Sequence, residues 1–172
     1  SHEAMLAVLE GRADLGIFAD RTPSLGLPTA PYRSDRLVLV VPRGHPLAGA
    51  TGVAFRDTQP YEFVGFFPNL SIETVYPAIA SRSRSRVRVQ IANFDATCRM
   101  VKAGLGIALV PLGSAQPHLA DGALALVHLT DPWVRRQSRI CFRDDGDVRP
   151  SVRELATFLS ERTADEPAVP PG

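Results

Sequence analysis

Met5, Val8 and Leu9 fall at i, i+3 and i+4 behind Ser1 and Glu3. That spacing predicts a short amphipathic helix, capped by the Ser1 hydroxyl and closed by Gly11 in a left-handed conformation. Leu15 to Phe18 follow as a brief apolar run, read as a buried strand. A helix opening directly onto a buried strand is the second half of a βαβ unit, so a preceding strand is expected outside these residues. Leu37 to Val41 is an unbroken aliphatic run, expected of a strand covered on both faces, and Pro42-Arg43-Gly44-His45-Pro46 stops it. Phe63 to Phe67 predicts another short strand, and Ser71 opens a helix in which Pro77 predicts a kink or a late start. Val87, Val89 and Ile91 alternate with polar or small residues, giving a strand with one drier face. Asp95 is expected to cap a helix carrying Ala96, Met100 and Val101 that ends at Gly104. Gly106 to Val110, Leu124 to Leu129 and Ser138 to Phe142 read as strands. Val152, Leu155, Ala156 and Leu159 place an amphipathic helix near the C-terminus. Strands alternating with helices predict an α/β fold with mostly parallel sheets.

Composition narrows the function classes. The 172 residues are 45% hydrophobic and 22% charged, ordinary for a soluble globular chain. Nineteen Lys and Arg against eighteen Asp and Glu leave a net charge of +1, too balanced for a nucleic-acid surface. Cys98 and Cys141 are the only cysteines, so neither a disulfide framework nor a Cys-rich zinc site is expected. No apolar run reaches the roughly 20 residues needed to span a bilayer, and Ser1 to Ala4 lack signal-peptide order. A reduced, cytoplasmic protein is the expectation. Thr163 to Gly172, rich in Ala, Asp, Glu, Pro and Gly, reads as a disordered tail.

Three stretches are placed to bind a small molecule. Helix N-termini carry unpaired N–H groups and the positive end of the helix dipole. Phe67-Pro68-Asn69-Leu70-Ser71 and Asn93-Phe94-Asp95 each lead from a strand into such a start, and Phe18-Ala19-Asp20 is the turn after the first strand. All three lie at carboxyl ends of strands, where open α/β sheets form their crevices. Ordinary capping is the competing explanation. The aromatic rings of Phe18, Phe67 and Phe94 suggest apolar pocket walls suited to a small organic acid.

Other features read as structure rather than chemistry. The run Ser81 to Arg86 with Arg88 lacks interleaved aromatics and fits a solvated helix end and a wet strand face. None of His2, His45, His118 and His128 is paired with another at metal-ligand spacing, and His45 reads as a surface or hinge residue. Cys98, in the first turn of a helix, reads as a buried thiol rather than a nucleophile. Asp144, Asp145 and Asp147 read as a turn. Trp133 is a core or an interface anchor. No phosphate loop, nucleophile elbow, acid/base pair or cofactor motif is present, so neither catalysis nor a cofactor is expected.

Val8-Leu9-Glu10-Gly11-Arg12-Ala13-Asp14-Leu15-Gly16-Ile17 resembles a segment of LysR-type transcriptional regulators. Leu37 to Pro42 with Gly44-His45-Pro46-Leu47-Ala48, and Val101 to Pro111 with its Ala-Gly-Leu-Gly-Ile-Ala core, resemble two further segments in the same order. The resemblance covers most of residues 1 to 160. It implies the effector-binding domain of such a regulator, with the type II periplasmic-binding-protein fold: two α/β lobes joined by two crossing strands. Lobe I would comprise residues 1–39 and 140–162, and lobe II residues 40–139, the crossings falling near Val40 and Ile140. The family's winged helix-turn-helix has no counterpart here, and neither do the first strand, first helix and next strand of lobe I. DNA would then be contacted only through that other domain. The implied partners are a small anionic effector held by the three stretches above, and further copies of the chain in a homodimer or tetramer. A transporter's solute-binding protein, an enzyme on the same fold and a purely structural oligomerisation module are the rivals.

Overall fold

The computed structural model describes residues 1–20, 22–65, 86–91, 93–143 and 149–161. They divide into two compact units, one made of Ser1–Asp35 with the chain from Arg135 onward, the other of Arg36–Val134.

In the first unit, helix α1 (His2–Leu9) leads into strand β1 (Leu15–Ala19). Gly11, at φ +72°, closes the helix: its N–H donates to the Val8 carbonyl and that of Arg12 to the Ala7 carbonyl. These paired bonds satisfy carbonyls that the helix end would leave orphaned. Ser1 does not cap α1 through its side chain; its hydroxyl accepts the Ala19 N–H at 3.1 Å. Met5 and Val8 are fully buried, but Leu9 is 42% exposed. A helix of eight residues buries one narrow stripe, and Leu9 lies about 100° round from Val8.

β1 is half-buried rather than buried: Gly16 and Phe18 face inward, and Ile17 is 43% exposed. It pairs antiparallel with β7 (Arg135–Phe142), Leu15 opposite Phe142 and Phe18 opposite Arg139. The core here is Met5, Val8, Phe18, Leu27 and Cys141. Helix α4 (Pro150–Glu161) buries Val152 and Ala156 but leaves Leu155 and Phe158 about half exposed, so the expected apolar stripe is only partly covered.

Strand β2 (Thr29–Pro42) starts eight residues before the aliphatic run that announces it and carries the chain from one unit to the other. In the second unit it lies between β5 (Ala108–Pro111) and β6 (Leu124–His128), antiparallel to both. Val38 to Val41 have no exposed surface, because successive side chains enter different cores. Leu39 and Val41 join Phe55, Phe63, Ile107, Leu129 and Trp133 on one face. Val38 and Val40 join Cys98, Val101, Ala108 and Val110 on the other. Trp133 is thus a core residue, its ring edge-on to Phe55 at 5.3 Å.

Strand β3 (Glu62–Gly65) runs parallel to β4 (Arg86–Gln90). The β1–β7, β2–β5 and β2–β6 ladders are antiparallel, which corrects the expectation of mostly parallel sheets. Helix–strand alternation in the sequence does not fix strand direction, because β1 meets β7 only after the whole second unit. β3 is also tied to the approach to β5: Ile107 N–H donates to the Glu62 carbonyl at 2.9 Å and Val64 N–H to the Ile107 carbonyl at 2.8 Å. Helix α2 (Phe94–Lys102) buries Thr97, Cys98 and Val101, and Gly104 (φ +79°) closes it as Gly11 closes α1. A one-turn helix α3 (Leu112–Ala115) follows β5.

His45 organises the turn after β2. Its Nδ1 accepts the Leu47 N–H at 3.2 Å and its ring stands edge-on to Tyr61. Partial burial lowers its pKa, which favours the neutral ring that this acceptor role requires. The predicted Ser71 helix, Pro77, the Asp144–Asp147 turn and the C-terminal tail lie outside the described residues.

Candidate functional site

Phe18-Ala19-Asp20 closes β1 in the first unit. Phe18 is 2% exposed and its ring packs among Met5, Val8 and Leu27, so it is a core side chain rather than an accessible wall. By anchoring there it fixes the exposed Ala19 and Asp20 that follow. The Asp20 N–H donates to the Gln137 carbonyl at 2.8 Å, which extends the β1–β7 ladder. The Asp20 carboxylate accepts from Arg139 Nη1 at 3.3 Å. Arg139 also donates to Thr29 Oγ1, from Nε at 3.1 Å and from Nη2 at 2.7 Å.

Asn93-Phe94-Asp95 starts α2 in the second unit. The cap is Asn93, not Asp95. Asn93 Oδ1 accepts the N–H of Asp95 at 2.8 Å and of Ala96 at 3.2 Å, and the Asn93 carbonyl accepts from the Thr97 N–H and hydroxyl. Asn93 is extended, at φ −148°, so it continues the incoming strand and its side chain folds back over the helix start. Asp95 sits in the first turn, where the helix dipole favours a carboxylate, and pairs with Arg99 at 2.9 Å and His118 at 3.2 Å. Phe94 is partly buried against the Val38–Val40 core. Asn93→Ala should lower stability by about 1 kcal/mol, while Asn93→Asp keeps the acceptor and most of that stability. Urea denaturation of the two variants measures the difference; equal losses would remove the capping role.

Phe67, Pro68, Asn69, Leu70 and Ser71 lie outside the described residues. β3, which leads towards them, is buried over Phe63, Val64 and Gly65.

Arg139 and Thr29 were not singled out from the sequence. The sequence carries no clear signal for either, since Arg139 closes the polar run Arg135-Arg136-Gln137-Ser138 ahead of the apolar Ile140-Cys141-Phe142. His118 is paired with no other histidine at metal-ligand spacing. Together with Arg99, Lys102, Pro117, Ala120 and Asp121 it lines a surface hollow of about 350 Å³. The cations there are ion-paired, Arg99 to Asp95 and Lys102 to Asp121. Cys98 is fully buried and its thiol pKa is raised, first by burial and then by the Asp95 carboxylate. Burial likewise raises Cys141. Among the described residues no group of His, Cys, Asp and Glu could hold a metal ion, and no helix is long and apolar enough to cross a membrane.

The family model described as "LysR substrate binding domain" matches residues 1–164. A probable hydrogen peroxide-inducible genes activator of Mycobacterium avium is 28% identical over 169 residues, covering 92% of this chain and 52% of that protein. The chain spans about half the length of the curated relatives it matches. The CcmR regulatory domain of Synechocystis PCC6803, solved in complex with 2-PG, superposes with a TM-score of 0.82 at 17% identity over 96% of this chain and 81% of that one. The effector binding domain of QuiR, solved in complex with shikimate, gives 0.79 at 17% identity over 96% and 79%. These likenesses establish the type II periplasmic-binding-protein-like α/β fold.

Proposed function

This chain belongs to the LysR substrate binding domain family, and from that premise we propose that it senses a small organic anion and passes the signal to a DNA-binding domain elsewhere in its protein. The observation that carries the reading is the family match across nearly the whole described chain. The division into two compact units joined by β2 and the return into β7 supports it, because the family resemblance implies a two-lobed domain. The chemistry is recognition without catalysis. The residues proposed to line the ligand site are the exposed Ala19 and Asp20 with Phe18 behind them, the Phe67–Ser71 segment, and the Asn93–Asp95 helix start. The assembled regulator would be a cytoplasmic homodimer or tetramer that meets DNA through its other domain.

Calorimetric titration with a panel of carboxylic and phosphorylated acids, including 2-PG and shikimate, tests the reading. At least one acid is expected to bind saturably, and at 100-fold excess over Kd it should stabilise the fold by about 2.7 kcal/mol. A chain that binds none of a broad panel, in either calorimetry or thermal shift, would sink the proposal.

The cysteines argue for a ligand rather than an oxidant as the signal. Only a thiolate reacts readily, and both thiols are buried with their pKa values raised. They also belong to different units. Peroxide treatment of the native chain followed by alkylation and mass spectrometry should leave both thiols unoxidised and blocked only after denaturation. Rapid formation of a Cys98–Cys141 disulfide would reverse this conclusion.

A further inference from the structure

We propose that Arg139 is the charge-selecting residue of the effector site, and that Asp20 serves as its counter-ion when no effector is bound. This inference rests on the effector-binding reading above and names the group that the ligand must carry: a carboxylate or a phosphate.

Arg139 lies opposite Phe18 in the β1–β7 ladder, so its side chain shares a face with that residue and lies beside the Phe18–Asp20 segment. Thr29 holds the guanidinium from one side through Nε and Nη2. Asp20 takes a single bond from Nη1 at 3.3 Å, long for a charge-assisted contact. Both side chains of the pair are partly exposed, 36% for Arg139 and 43% for Asp20. An open, single-contact pair of this kind is weak and exchangeable. The two contacts therefore differ in kind: Thr29 keeps the guanidinium aimed, and Asp20 occupies it.

A guanidinium has five N–H donors. Three of them are used here, which leaves one N–H on each terminal nitrogen without a partner among the described residues. Two terminal N–H groups suit two oxygens of a carboxylate or phosphate. Asp20 alone would repel an anionic effector. Paired with Arg139 it does not, and the arginine supplies the attraction that the segment otherwise lacks. An arriving anion then competes with Asp20 for one cation that Thr29 has already oriented.

The scheme sets the sign of three variants. The wild-type domain, Arg139→Gln, Arg139→Lys and Asp20→Asn are titrated with shikimate, benzoate and 2-PG, and with the carboxamides of the first two. Folding of each is checked by circular dichroism and thermal melting. In wild type an acid should bind at least tenfold tighter than its amide. Arg139→Gln should bring that ratio to near one, Arg139→Lys should leave it intermediate, and Asp20→Asn should raise acid affinity severalfold. A residue that merely ties strands together would weaken acid and amide alike, and that result would overturn the proposal. So would an acid affinity lowered by Asp20→Asn. If Arg139→Gln does not fold, the Lys and Asn variants decide the matter alone. If no acid binds wild type, the effector reading itself fails and this inference falls with it.

Discussion

Gly106→Ala is expected to destabilise the second unit by about 3 kcal/mol or more. Gly106 sits at φ +146°, where a side chain is already strained. A Cβ there would come within 2.5 Å of the Glu62 carbonyl oxygen and 3.1 Å of its carbon, both backbone atoms. The clash cannot be relieved by a rotamer change. It has to push β3 away, and with it the bonds from Ile107 N–H to Glu62 and from Val64 N–H to Ile107. Losing two buried hydrogen bonds removes about 2 kcal/mol, and strain adds the rest. Gly104→Ala is the control: φ is +79° but the space is empty, so only the left-handed penalty of about 1 kcal/mol applies. Urea melts of both variants, followed by Trp133 fluorescence, should separate them clearly. Equal losses would show that the approach to Glu62 is not limiting.

Phe55→Ala carries the second large effect, about 3–5 kcal/mol. Phe55 is 2% exposed and stands between the rings of Phe63, at 5.9 Å, and Trp133, at 5.3 Å. Truncation removes the ring common to both contacts and opens a cavity beneath Leu39 and Val41 in the same core. Its backbone is held from the other side, since the Phe55 N–H donates to Asp131 Oδ2 at 2.7 Å, so collapse around the void is restricted. Phe55→Leu should lose roughly half as much, because it refills much of the volume. The midpoint in urea checks the magnitude, and a red shift of native Trp133 emission checks the site. A loss below about 1 kcal/mol would mean that the core repacks freely.

Much of this fold is legible in the sequence where one residue answers to one local demand. The Leu37–Val41 run announces a strand buried on both faces, and its alternate side chains do enter two cores. Gly11 and Gly104 announce their helix ends because the left-handed cap is a property of a single residue. Other features depended on partners far away in the chain. The first half of β2, Thr29 to Asp35, is polar and shows no apolar period, because its pairing rather than its burial makes it a strand. Strand direction was misjudged for the same reason. Asn93 and Asp95 are equally good caps on paper; the extended backbone at Asn93 chooses between them. At the candidate site the exposed segment ending in Asp20 was legible, but Phe18 belongs to the core. Arg139 was not legible, since its meaning comes from Asp20 and Thr29, each more than a hundred positions away.

The way the chain leaves the first unit and returns to it sets an order of folding. Residues 36–134 are continuous and contain their own two cores, so they can form without waiting for either end. The first unit has no such freedom, because Leu15 must find Phe142 and Phe18 must find Arg139 across the entire second unit. Closing that loop through unfolded chain is entropically slow. Once the second unit has formed, the two ends are delivered together, and the Asp35–Arg136 ion pair fastens them where the chain crosses. The β1–β7 ladder should therefore be the last structure to form and the first to exchange its amide hydrogens.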